Sequence, residues 1–196
     1  MLIGVIDSGI GGLEIVNRLS DKNKYILIMD NAFFPYGNKR KEFLIKRTIY
    51  LIDYLVKRRV DCVILGCNTL SITTLDIVRR CFDIKIYGVF EHLVKHFNKR
   101  NLFIGSRISS KYVRENYHID SISVETLINL LERGAVYNNF LNKYKCIFKN
   151  YDNIILGCTH LLKIPKEEYI VSTIDQVEEL KKVIVWWLFK FLDKVN

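Results

Sequence analysis

Proline is almost absent from this chain, two residues in 196, and no apolar run exceeds the seven residues at 183–189. The first scarcity excludes a polyproline stalk or stiff linker. The second excludes a membrane-spanning helix, which needs roughly 20 apolar residues. Cysteine is sparse and odd in number, at five, and its spacing fits no disulfide framework. No basic-then-apolar leader precedes Met1-Leu2-Ile3-Gly4, so reduced thiols in a cytoplasm are expected. Acidic residues are outnumbered, 21 against 30 basic ones, for a formal net charge of +9. A basic chain invites a nucleic-acid partner, but these lysines and arginines are scattered, and their densest cluster, Lys39-Arg40-Lys41, opens an amphipathic helix. The expected partner is a small molecule, with neither nucleic acid nor membrane.

What the chain does contain is a repeat. Val63-Ile64-Leu65-Gly66-Cys67-Asn68-Thr69-Leu70 returns, little altered, as Ile154-Ile155-Leu156-Gly157-Cys158-Thr159-His160-Leu161. An apolar, β-branched run ending in Gly reads as a buried parallel strand giving way to a loop. Each Cys then stands at the carboxyl end of a strand, where open α/β sheets bind ligands. It also stands near the start of the next helix, where the dipole favours a thiolate. One such Cys would be ordinary packing. Two in matching contexts suggest a reactive thiol on each side of a shared site, whereas Cys62, Cys81 and Cys146 read as packing residues.

Strand-like runs alternate with helical patterns throughout, the mark of βαβ units. Strands are predicted at 2–6, 25–29, 62–65, 85–89, 102–104, 121–124, 153–156 and 169–171. Helices are predicted at 12–19, 41–58, 72–81, 110–116, 125–133, 136–149 and 175–193. The expected fold is α/β, with two similar doubly wound domains and mainly parallel sheets, one Cys in each. Residues 1–91 with 173–196 form the first domain, and 92–172 the smaller second one. The last helix is apolar nearly all round. That predicts a core helix or, where the short second domain leaves it bare, a homodimer contact through Trp186 and Trp187.

Several residues can carry chemistry. Asp7-Ser8-Gly9-Ile10-Gly11-Gly12 follows a strand and opens a helix, so its glycines allow close backbone approach and its bare N–H groups suit a carboxylate or phosphate. A dinucleotide fingerprint needs a third Gly where Glu14 stands, although Asp30 lies where a ribose-binding acid belongs. Phe33 and Phe34 read as packed aromatics ahead of Pro35-Tyr36-Gly37, a rigid turn able to present a phenol and backbone N–H groups. Cys67, Cys158, His160 and Asp7 could together hold zinc, yet such sites usually draw on close ligand pairs, which these are not. Two opposed thiols suit another task, the inversion of a stereocentre: one removes a proton from one face and the other delivers one to the opposite face. A cysteine pKa near 8.5 can be tuned to leave one thiolate and one thiol. Asn68, Thr69 and Thr159 supply neutral donors for a carboxylate. No metal and no organic cofactor are expected.

These motifs, in this order, resemble glutamate racemase, of the cofactor-independent aspartate/glutamate racemase superfamily. The matching stretches are Ile3-Gly4-Val5-Ile6-Asp7-Ser8-Gly9-Ile10-Gly11-Gly12-Leu13, Phe34-Pro35-Tyr36-Gly37, Gly66-Cys67-Asn68-Thr69 and Leu156-Gly157-Cys158-Thr159-His160. The resemblance implies an active site in the cleft between the two α/β domains, with Cys67 and Cys158 as the two acid/base catalysts and Asp7 and His160 assisting their thiols. It implies substrate contacts from Ser8, Pro35, Tyr36, Gly37, Asn68, Thr69 and Thr159. Gly105-Ser106-Arg107-Ile108-Ser109 looks like the family's Thr-bearing loop, Ser109 keeping the hydroxyl. Interconversion of L- and D-glutamate for peptidoglycan follows, and the Pro-Tyr-Gly loop favours the glutamate over the aspartate branch. Members are usually several tens of residues longer; Leu161-Leu162 stands here for their Tyr-Pro, and Ser172-Thr173 for their Asp-Ser. The alternatives are a family member that binds without chemistry, gyrase inhibition included, and a racemase for another acid such as aspartate.

Overall fold

The computed structural model describes the backbone of residues 1–19 and 22–192, with side chains described as far as Ile184. The first half runs β1 (Leu2–Asp7), α1 (Gly11–Arg18), β2 (Lys24–Met29), α2 (Lys41–Val56), β3 (Cys62–Leu65), α3 (Asn68–Cys81) and β4 (Lys85–Gly88). The second runs β5 (Asn101–Gly105), α4 (Arg107–Tyr117), β6 (Ser121–Ser123), α5 (Glu125–Glu132), α6 (Asn138–Phe148), β7 (Asn153–Gly157), β8 (Ser172–Asp175) and α7 (Gln176–Leu192). Each half forms a four-stranded parallel sheet, ordered β2-β1-β3-β4 and β6-β5-β7-β8. The two orders are the same topology used twice. Both repeated Cys residues therefore leave the third strand of their half, which lies beside the first.

Local chemistry accounts for these elements. Helix α2 buries Leu44, Thr48, Leu51, Ile52 and Leu55, a helical spacing that lays one stripe on the sheet. Strand β3 is buried throughout, as a central parallel strand should be. Asp175 accepts from the backbone N–H groups of Val177 and Glu178 at 3.0 and 2.9 Å, which caps α7. One apolar cluster joins the halves, with Ile3, Val5 and Ile15 from the first and Leu156, Leu161 and Leu162 from the second. The connecting segment is fixed by an aromatic cluster in which Phe90 and Phe97 pack on Phe103 and Tyr117.

Two local expectations need correction. The strand expected at 169–171 forms at Ser172–Asp175, and Lys166–Tyr169 is a 3₁₀ turn. Ile170 takes a positive φ of 61°, which breaks an extended run. Sheet two thus extends to Asp175, past the residue 173 expected to rejoin the first domain. The second Cys is followed by a 3₁₀ turn, Thr159–Lys163, and not by an α-helix. Pro165 disfavours helical geometry at Ile164, whose ψ is 126°. The expected contact through Trp186 and Trp187 involves side chains outside the described residues.

The Gly before each Cys has a packing cause. A Cβ on Gly66 would overlap the Ile15 side chain, and one on Gly157 would run into the buried Phe103 ring. Gly157→Ala should therefore destabilise the protein by about 1–3 kcal/mol through overpacking. At roughly 2–4 °C per kcal/mol for a chain of this size, thermal melting followed by circular dichroism will resolve the loss. Phe103→Leu in the same chain should recover part of it; no recovery would place the strain elsewhere.

Candidate active site

The carboxyl edges of both sheets converge on one pocket. Ser8 arrives from the end of β1, Cys67 from β3, Ser106 from β5, and Cys158 with His160 from β7. Phe34, Pro35, Tyr36, Gly37, Thr69, Glu125 and Ile128 complete its walls. Free space inside amounts to about 20 Å³, room for one or two waters. Three hydrogen bonds join the halves around this narrow space. Thr159 donates through Oγ1 to Asp7 Oδ2 at 2.9 Å, Thr69 and Ser106 share a hydroxyl contact of 3.0 Å, and the Ile10 N–H reaches Glu132 Oε2 at 3.0 Å.

The predicted residues separate into two layers. Ser8, Pro35, Tyr36, Gly37, Cys67, Thr69, Cys158 and His160 line the pocket. Asp7, Asn68, Ser109 and Thr159 stand behind this lining, Asp7 and Ser109 bonded to it through Ser8 and Ser106. Asp7 is fully buried and accepts from Thr159 and from the Gly9 N–H at 3.2 Å. Ser109 meets Ser106 at 2.8 Å, so the serine that faces the pocket is Ser106. With the Gln176 amide turned, its nitrogen donates to Leu156 O at 2.6 Å and its oxygen accepts from the Thr159 N–H at 3.0 Å and from Asn68 Nδ2 at 3.3 Å. The first residue of α7 thus ties together the loops that carry both cysteines.

The Tyr36 phenol does not point at a ligand: it donates to Asp30, which also binds Arg47 Nε and Nη2 at 2.9 and 2.6 Å. Asp30 is committed to holding this turn and is not a ribose acceptor. Burial works against its charge, but Arg47 and Tyr36 outweigh burial and lower its pKa. Phe34, expected as core, lies against His160 with ring centroids 5.3 Å apart and forms part of the pocket.

The two thiols have different surroundings. Burial and the neighbouring Asp7 push Cys67 up to about 12, against the smaller pull of the Leu70 N–H and the Ser8 hydroxyl. The helix start favours the thiolate but is outweighed: a helix dipole contributes about 0.3–1 kcal/mol, while burying an isolated anion costs several. Beside Cys158 stands His160, its Nδ1 at 3.5 Å from Sγ and its Nε2 bonded to Glu132. Burial disfavours the imidazolium, but Cys158, Glu132 and Asp7 together raise its pKa to about 10. Burial likewise pushes the Asp7 carboxyl up, against His160 and Thr159.

Sequence reasoning missed Ser106, Glu125, Glu132 and Gln176. Ser106 lay inside the loop singled out for Ser109. The others sit at helix ends with no repeat, glycine or cysteine to mark them. Both ring nitrogens of His160 are engaged, and among the described residues no group of His, Cys, Asp or Glu is arranged to hold a metal ion.

No protein-family model matches the chain. It is 34% identical to the glutamate racemase of Buchnera aphidicola subsp. Acyrthosiphon pisum, over 92% of this chain and 80% of that protein. It is also 34% identical to the glutamate racemase of Fusobacterium nucleatum, over 81% and 69% respectively. In three dimensions it matches a glutamate racemase from Francisella tularensis in complex with D-glutamate, with a TM-score of 0.79 and 28% identity over 96% of this chain and 81% of that one.

Proposed function

The chain belongs to the glutamate racemase family, and from that membership and its paired thiols we propose that it interconverts L- and D-glutamate by direct proton transfer at the α-carbon. One observation carries the mechanism: two thiols leave equivalent strands of two like halves and face a single narrow pocket. Toward L-glutamate, Cys158 acts as base, with the His160 imidazolium beside its sulfur. Its sulfur takes the α-proton and leaves a planar carbanion. Cys67, held as a thiol by its burial, delivers a proton to the opposite face. Toward D-glutamate the roles exchange.

Ser8, Thr69, Ser106 and the backbone N–H groups of Tyr36 and Gly37 are neutral donors suited to the substrate's two carboxylates, with Asn68, Ser109 and Thr159 supporting them from behind. Asp7 and His160 act on the thiols. None of these steps calls for a metal or cofactor. We assign the product, D-glutamate, to peptidoglycan synthesis and the protein to the cytoplasm; its five cysteines are unpaired, and no described helix is long and apolar enough to cross a membrane. A homodimer through the last helix remains part of the proposal, supported by the apolar composition of residues 183–192.

In heavy water, D-glutamate formed from L-glutamate should carry deuterium at Cα, while the remaining L-glutamate stays mostly unlabelled at early times. Proton NMR of the two enantiomers, separated after quenching, measures both. Equal labelling of substrate and product would indicate a single base. Activity lost to a chelator and restored by zinc would favour a metal site.

A further inference from the structure

The catalytic pocket shares Phe34, Pro35 and Glu125 with an adjoining cavity of about 370 Å³, whose exposed rim includes Arg107 and Arg133. Among the described residues Glu125 is the only acid in the pocket wall. Its Oε1 lies 3.2 Å from the point a Cβ on Gly37 would occupy, and Ser106 Cβ lies 3.0 Å from the same point. Its Oε2 is buried and makes no hydrogen bond among the described residues, while Arg107 places Nε 3.8 Å away. We propose that Arg107 is a substrate-binding residue: held by Glu125, it takes the side-chain carboxylate of glutamate and so sets a preference for diacids. The proposal rests on the glutamate reading above.

The need for a cation follows from charge. The Gly37 N–H and the Ser106 hydroxyl suit a substrate carboxylate, yet the Glu125 carboxylate stands against Gly37. Like charges a few ångströms apart repel, and more strongly in a narrow space with little water. Among the described residues no Lys or Arg lines the pocket itself, and the His160 imidazolium is already committed to Cys158 and Glu132. Arg107 resolves the conflict. Its planar fork presents five N–H donors, so Nε can stay toward Glu125 while the Nη groups meet a second carboxylate. Its side chain is 78% exposed, which leaves it free to follow the wall as the pocket widens around a ligand. The α-carboxylate is bonded to the carbon that must sit between the two sulfurs, whereas Arg107 stands in the adjoining cavity. The carboxylate within its reach is therefore the distal one. Arg133 lines the same cavity but, among the described residues, pairs with no group of the pocket wall.

Steady-state racemisation by Arg107→Ala tests this. KM for L- and for D-glutamate should rise about tenfold or more, with a clearly smaller change in kcat. The same substitution leaves Glu125 facing the substrate unopposed, so adding Glu125→Gln to Arg107→Ala should bring KM back down by about threefold or more. Arg133→Ala is measured alongside and should change KM less than about twofold. An unchanged KM in Arg107→Ala would overturn the proposal. So would a double variant no better than the single one, which is what a purely structural role for Arg107 gives. An equal rise in Arg133→Ala would assign the effect to the general charge of the cavity and overturn it as well. Wild-type protein that does not turn over glutamate would end the glutamate reading and this proposal with it; normal wild-type turnover with a KM indifferent to Arg107→Ala ends the proposal alone.

Discussion

Cys67→Ala and Cys158→Ala, made separately, are each expected to lower racemisation by about a thousandfold or more in both directions. Each turnover needs a base on one face of the α-carbon and an acid on the other, and each thiol serves as one in either direction. Losing one thiol therefore stops both reactions. The folds should persist, since removing one sulfur from a site this close to the pocket leaves a small gap costing about 1 kcal/mol. A second readout separates the two roles. Cys67→Ala keeps the base that faces L-glutamate, so it should still exchange the α-proton of L-glutamate with heavy water without inverting it. Cys158→Ala should do the same for D-glutamate only. Near-normal racemisation by either variant, measured by circular dichroism, would end the two-thiol mechanism.

His160→Asn should cost about 10- to 1,000-fold in kcat, because the ring stabilises the charge on Cys158 and links it to Glu132. The enantiomers are equally stable, so kcat/KM must fall by the same factor in both directions; any asymmetry has to show in kcat and KM taken separately. Stability should change as well, and its pH dependence has a definite sign. His160 rises from an ordinary 6.5 to about 10 in the folded protein. Its contribution to stability is fully present below pH 6.5 and is lost as pH climbs toward 10. The gap between wild type and His160→Asn in urea unfolding should therefore be widest in mild acid and close at alkaline pH. A gap that widens with pH would mean the ring is neutral in the fold, and a change confined to KM would move His160 into the binding shell.

Much of this was legible in the chain because the signals were redundant. The repeated strand-Gly-Cys unit fixed both thiols at sheet edges, and the glycines recur because Ile15 and Phe103 leave no room for a Cβ. Alternating apolar runs and helical stripes marked eight strands, seven of them in place; the eighth slipped because Ile170 adopts a left-handed conformation that no local pattern announces. Orientation was less accessible. Nothing in Pro35-Tyr36-Gly37 says that the phenol turns to Asp30 and Arg47, since those partners become neighbours only after folding. Glu132 was invisible for the same reason, being 28 residues from His160 in sequence. Which member of the expected thiolate–thiol pair is the thiol was not legible, because a helix start can be inferred from sequence, whereas the burial of Cys67 between both halves cannot.

The narrow pocket sets a rhythm for the molecule. Glutamate cannot enter about 20 Å³, so every arrival and departure must part the contacts between Thr159 and Asp7, Thr69 and Ser106, and Ile10 and Glu132. Each of these hydrogen bonds opposes opening by about 1 kcal/mol, and the apolar cluster that joins the halves adds to them. The empty, contracted shape is therefore not the reacting shape: the pocket must widen around glutamate before its donors can meet the carboxylates. Entry and release are then steps that every turnover has to pass. Loosening Thr69 or Ser106 would trade a slower chemical step for a faster door.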